Sequence, residues 1–246
     1  MTADRTALKR LWIQAFHDPE EVPDAFFATA FSPARYNTVR VNGVPVSALY
    51  WLDCSLQDSR FAYIYAVATD CSFQGKGYAG RLMEDTHRLL KQAGYTGAVL
   101  VPGEPWLFGF YQKFGYRVFS TVQEFTCTQG EQPVELEPLD IVRYANVRQK
   151  YLPTGGLQQA GETLAFLQTQ ADFYCGKDFV LAASRQNDTL IVHELLGNLH
   201  AAKNILRTLD MPQGRFRTPG PGKDFAMFCP LQESCPTPAY FGLALD

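Results

Sequence analysis

Two spacings of apolar residues alternate along the chain, and each change of spacing marks an element. Over 6–16, Leu8, Leu11, Trp12, Ala15 and Phe16 recur at helical spacing, and His17-Asp18-Pro19 closes that helix. A second helical stretch, rich in Phe, covers 25–31. Residues 37–42 and 45–52 are β-branched and aromatic around Gly43, which predicts a hairpin. Residues 61–69 are mostly apolar, as a central strand would be. A small polar loop at 71–77 leads into a helix at 79–93. There Ala79, Leu82, Met83, Thr86, Leu90 and Ala93 form one face, and Gly94 is the expected C-cap. A strand at 97–101 follows. Pro105 opens another helix, Gly115 ends it, and 117–127 alternates as a strand.

The periodicity then lapses. Gly130-Glu131-Gln132-Pro133 through Pro138 is polar and Pro-bearing, which reads as a boundary between domains 1–130 and 131–246. Beyond it the pattern gives helices at 141–151 and 162–174, then strands at 179–184 and 189–195. A helix at 200–209 and strands at 215–218, 225–229 and 239–243 complete it. The second half thus repeats part of the element order of the first.

Composition narrows the class. Of 246 residues, 46% are hydrophobic and 19% charged, enough apolar material for a packed core. The net charge of −3 supplies no basic field for nucleic acid. No apolar run approaches the ~18 residues of a membrane span, and no export signal precedes residue 10. The six cysteines match no zinc spacing, so no metal is expected and free thiols are. A cytoplasmic setting follows from that reading.

Chemistry concentrates between Tyr63 and Phe119. A strand ends, a Gly-rich loop follows, and a helix opens from it. Exposed amides at a helix N-terminus, with the helix dipole behind them, attract an anion. Gly75, Gly77 and Gly80 allow the backbone to approach phosphate oxygens closely. Residues 74–80 are therefore expected to bind a phosphate-bearing ligand. Gly75-Lys76-Gly77-Tyr78-Ala79-Gly80 also satisfies the dinucleotide fingerprint G-x-G-x-x-G. Its acidic partner could only be Glu104, which falls beyond the next strand, and Asp70 to Gln74 separate the glycines from the preceding strand. A P-loop is excluded, because Gly77 follows Lys76.

The stretch Gln74-Gly75-Lys76-Gly77-Tyr78-Ala79 fits Q/R-x-x-G-x-G/A, and Phe110-Tyr111-Gln112-Lys113-Phe114-Gly115-Tyr116 fits F-Y-x-K-x-G-F/Y. With the strand Val67-Ala68-Thr69 and the amphipathic helix between them, the order resembles the GNAT superfamily of acyl-CoA-dependent N-acyltransferases. The resemblance covers most of 1–128. It implies an α/β fold with a mixed sheet, acetyl-CoA as co-substrate, and a small-molecule or peptide amine as acceptor. The backbone of Val67, Ala68 and Thr69 would pair with the pantetheine arm. Gln74 and the amides of Gly75, Lys76, Gly77, Tyr78, Ala79 and Gly80 would hold the pyrophosphate. Tyr111 would protonate the leaving thiolate as general acid, and Glu104 is the candidate base.

Residues 179–243 resemble half of a second such fold. Ile191 to Gly197 would be its splayed strand, but Leu196-Gly197-Asn198-Leu199-His200 carries no phosphate loop. A degenerate tandem copy that binds no CoA is expected. Trp12, Phe16, Phe26, Phe27 and Phe31 lie where the family walls its acceptor site, and equally suit a core. The rival function is a non-enzymatic acyl-CoA-binding sensor or scaffold. The acceptor and the oligomeric state are not legible.

Overall fold

A computed structural model of the chain describes residues 3–245. Two compact units divide it, and neither is contiguous in sequence. The first takes the chain through Leu100, then Trp106–Arg117 and Phe228–Pro236. The second takes Val101–Pro105, Val118–Met227 and the segment from Thr237 onward.

In the first unit, α1 (Ala3–Phe16) and α2 (Glu21–Thr29) precede the strands β1 (Tyr36–Val41), β2 (Val44–Leu56) and β3 (Ser59–Thr69). Then come α3 (Tyr78–Gln92), β4 (Gly97–Leu100) and α4 (Pro105–Gln112). The pairs β1–β2 and β2–β3 are antiparallel, whereas β3–β4 is parallel, so the sheet is mixed. The crossover from β3 to β4 is α3, as a parallel pair requires. Leu82, Met83, Thr86 and Leu90 form the buried stripe of α3. Ala93, expected on that stripe, is exposed, because it is the helix C-cap. Gly94 takes φ +82°, and the amides of Gly94 and Tyr95 bond the carbonyls of Lys91 and Leu90. This is the Schellman ending, and only a residue at ease with positive φ closes it cheaply.

Residues 228–236 complete this unit from far along the chain. A Cβ on Gly97 would lie 2.7 Å from the Phe228 ring, so the missing side chain is what lets that ring approach. Phe61 and Phe228 have ring centroids 6.0 Å apart. The amides of Leu231 and Gln232 both donate to Thr96 O.

The second unit contains β5 (Arg117–Thr128), β6 (Glu137–Pro138), α5 (Ile141–Tyr151), β7 (Gln158–Gln159) and α6 (Glu162–Leu167). These are followed by β8 (Asp172–Cys175), β9 (Phe179–Gln186), β10 (Thr189–Gly197), α7 (Ala202–Thr208), β11 (Gln213–Pro219) and β12 (Lys223–Pro230). Its strands run in the order β5-β11-β10-β9-β8-β6, with β10–β11 parallel. The residues of β12 are divided between the two units at Met227 and Phe228. One face carries a core of Phe179, Leu181, Leu190, Val192, Ile205 and Phe216. A buried bidentate ion pair, Arg148–Glu194, joins α5 to β10 at 2.6 and 3.0 Å, and the Tyr240 phenol donates to the same carboxylate at 2.9 Å.

Two further expectations are corrected. The helix read over 162–174 stops at Leu167, and 172–175 is the strand β8, paired with β9. Residues 239–243 form no strand; their one bridge joins Tyr240 to Gly156. The polar stretch 130–138 is tied down, with Gly130 N bonding Lys203 O and Val134 N bonding the Thr208 hydroxyl. All six cysteines are free. No helix among the described residues is long and apolar enough to cross a membrane.

Candidate active site

The first unit builds the site where β3 and β4 part. Their parallel pairing covers Phe61–Gly97, Ala62–Ala98 and Tyr63–Val99 and then stops. On its other side β3 stays paired with β2 as far as Thr69. Between Tyr65 and Ala68 the β2–β3 register shifts, and Ala66 adopts φ +50°, the signature of a bulge. The bulge turns the end of β3 away, so Val67, Ala68 and Thr69 lie on an edge that β4 does not cover. Unpaired strand groups of this kind bond readily to another extended chain. Ser47 fixes the strand end by bonding Ala68 O at 3.0 Å and the Thr69 hydroxyl at 2.8 Å.

The loop begins directly after this edge. The Asp70 carboxylate accepts from Ser72 N and caps a short 3-10 turn over Cys71–Phe73. Gln74 folds back, and its side-chain amide donates to Thr69 O at 3.2 Å. Gly75 and Gly77 then take φ +73° and +80°, and a Cβ at either would meet no atom within 4 Å. Their role is conformational, because the left-handed backbone is costly for other residues. Gly77 is the N-cap of α3, and Arg81 N closes the first helical bond on Gly77 O. The amides of Tyr78, Ala79 and Gly80 therefore have no helical partner. Among the described residues, no carbonyl accepts from the amides of Gly75 through Gly80. Lys76 bends across the loop to Ser72 O at 2.9 Å and sits 5.0 Å from the Phe73 ring centroid. The result is a cradle of donors with a helix dipole behind it, suited to a diphosphate.

Gly80 has a different reason to be small. A Cβ there would lie 3.2 Å from Phe114, which follows α4. This contact ties the cradle to the segment that carries Tyr111. Tyr111 is buried, with its ring centroid 5.2 Å from Phe110 and 5.9 Å from Tyr116, both edge-on. Burial pushes its pKa up to about 12. The phenol is thus protonated at neutral pH, the state a proton donor needs.

Glu104 is exposed in the turn before α4 and is grouped with the second unit, whereas Tyr111 belongs to the first. The aromatic residues from the N-terminal helices split. Trp12, Phe26 and Phe27 are buried around Tyr50, with ring centroids at 5.7, 5.0 and 5.9 Å. Phe16 is exposed and Phe31 half-buried. Among the described residues the buried Tyr50 hydroxyl has no hydrogen-bond partner, and burial raises its pKa.

Sequence reasoning passed over one pair. His87 bonds the buried Tyr116 hydroxyl at 3.0 Å. The available signal was its seat on the helical turn after Met83 and Thr86, beside the buried stripe.

The second unit repeats the frame. Parallel pairing of β10 with β11 ends at Val192–Phe216, and the β10–β9 register shifts between Val192 and Glu194. No glycine-rich loop follows. Gly197, at φ +93°, serves close packing instead, because a Cβ there would lie 2.3 Å from Asp178 O. The next turn is capped by the Asn198 side chain accepting from His200 N.

Comparison with known proteins gives a family and a fold. Residues 2–119 match the family model described as acetyltransferase (GNAT) domain. None of the curated proteins compared matches the sequence. Among solved structures, the chain is similar to a GCN5-related N-acetyltransferase from Anabaena variabilis, with TM-score 0.69 and 13% identity over 94% of this chain and 71% of that one. It is similar to Eis1 from Mycobacterium abscessus, with TM-score 0.67 and 13% identity over 93% and 71%. A GCN5-related N-acetyltransferase from Sphaerobacter thermophilus aligns over 99% of this chain and 96% of its own, with TM-score 0.54 and 9% identity. The family match makes this an acyltransferase. More particularly, residues 2–119 are a GNAT acetyltransferase domain.

Proposed function

We propose that the protein transfers an acetyl group from acetyl-CoA directly to a primary amine. One observation carries the reading: an uncovered strand edge, Val67 to Thr69, runs straight into a cradle of unbonded amides, Gly75 to Gly80. That arrangement suits a ligand with an extended amide-bearing arm and a diphosphate. Acetyl-CoA has both, and when bound it supplies an activated thioester.

The chain's own residues then have separable tasks. The β3 edge orients the arm by backbone hydrogen bonds. The glycine loop and the α3 dipole hold the diphosphate. The amine nitrogen bonds to the acetyl carbon, the carbon–sulfur bond breaks, and the Tyr111 phenol donates its proton to the departing sulfur. The amine's surplus proton leaves to base, for which Glu104, acting through water, is the proposed acceptor. In this reading the second unit is a degenerate copy without a CoA site, and the setting is cytoplasmic.

The test is acetyl transfer across a panel of amines, with Tyr111→Phe beside the wild type. Turnover in the wild type and a loss of about 100-fold in kcat in the variant, with acetyl-CoA binding retained, is the expected result. Ligand binding without thioester loss on any amine would favour a sensor. Unchanged turnover in the variant would remove Tyr111 from the acid role.

A further inference from the structure

Tyr111 reaches its position through neighbours that bind no ligand themselves. Its ring is held edge-on by Tyr116, whose backbone amide also bonds Tyr111 O at 3.4 Å. Tyr116 is itself buried, at 2% exposure. Its hydroxyl has one partner among the described residues, His87 Nε2 at 3.0 Å, and the two ring centroids are 5.4 Å apart. Burial keeps the Tyr116 phenol protonated and lowers the His87 pKa to about 4, so the imidazole is neutral. Both groups are neutral, so a single hydrogen bond joins them, with its direction set by the imidazole tautomer.

His87 lies on α3, about two turns beyond Gly80. Two contacts thus join α3 to the Tyr111 segment. Near the cradle, Gly80 meets Phe114. Further along, His87 meets Tyr116. A helix held against a segment at two separated points has a fixed angle to it and a fixed axial position. The cradle at one end of α3 and the phenol of Tyr111 are thereby placed relative to each other.

We propose that the His87–Tyr116 hydrogen bond is a positioning device for the proton donor, setting the Tyr111 phenol at a fixed distance from the diphosphate cradle. The inference rests on the acid role assigned to Tyr111. Misplacing a reacting group by about 1 Å can cost up to ~100-fold in rate. Loss of one buried hydrogen bond should permit a smaller displacement.

The test is steady-state kinetics on the full-length protein with Tyr116→Phe, His87→Leu, His87→Gln, Tyr111→Phe and the double variant Tyr111→Phe/Tyr116→Phe. Tyr116→Phe and His87→Leu should each lower kcat by about tenfold with the KM for acetyl-CoA within about twofold. His87→Gln keeps a neutral group that can donate or accept and should recover most of the rate. If Tyr116 acts only through Tyr111, the double variant should be no slower than Tyr111→Phe alone. A structural role would instead slow the double variant further. Wild-type kcat in Tyr116→Phe, or additive losses in the double variant, overturns the inference while the acid role stands. No loss in Tyr111→Phe overturns the acid role and the inference with it.

Discussion

Tyr111 and His87 are both perturbed by burial, in opposite directions, and both end neutral. The phenol is pushed up to about 12 and the imidazole down to about 4. For His87 the sign follows from linkage. The unfolded imidazole titrates near 6.5 and the folded one near 4, so its contribution is intact above about pH 6.5 and is lost as pH falls toward 4. Wild-type protein should therefore lose stability between about pH 6.5 and 4.5 more steeply than His87→Gln, by on the order of 2 kcal/mol. Parallel denaturant titrations at both pH values check this, and equal slopes would contradict it. Tyr111 and the proposed cradle residues are named in the sequence by two spaced motifs. The His87–Tyr116 bond was not legible there, because it joins residues far apart in the chain and depends on how α3 rotates.

At the scale of elements, the cradle depends on backbone shape more than on side chains. Gly77 sits at φ +80° in open space, so an added methyl group strains the backbone without clashing. Gly77→Ala should cost about 1–2 kcal/mol in unfolding free energy and weaken acetyl-CoA affinity more than that strain alone implies, because the amides would turn away. Chemical denaturation and calorimetric titration measure the two effects separately. An affinity equal to wild type would show that the loop geometry is not what binds. Elements with long periodic patterns, such as α3, were legible nearly to the residue. The strand β8 was not. Its four residues follow a helical pattern closely, and only pairing with β9 makes them extended. The stretch 239–243 reads as a strand by composition, yet it packs through Tyr240 and Phe241 without a ladder.

For the whole molecule, the first unit contains a segment that composition assigns to the other half of the chain. Phe228 packs beside Gly97 and Phe61, Cys229 Sγ bonds Phe114 O at 3.5 Å, and Gln232 Nε2 bonds Tyr95 O at 3.0 Å. A chain ended at residue 130 would lack all of these contacts. It should unfold without a cooperative transition and bind a hydrophobic dye, whereas the full chain should not. Such long-range completion leaves no local pattern in the sequence. The GNAT resemblance of the first half was legible because its glycines and aromatics are local. The second half repeats the element order, and its corresponding junction reads Gly197-Asn198-Leu199-His200.

The central claim is that the first unit holds one acetyl-CoA through the β3 edge and the 74–80 cradle. Calorimetric titration of the full-length protein with acetyl-CoA, beside Gly77→Glu and with NAD as control ligand, tests it most directly. The account predicts one equivalent bound per chain, no NAD binding, and loss of acetyl-CoA binding in a variant that remains folded by circular dichroism. Two equivalents, tighter binding of NAD, or unchanged affinity in Gly77→Glu would contradict it.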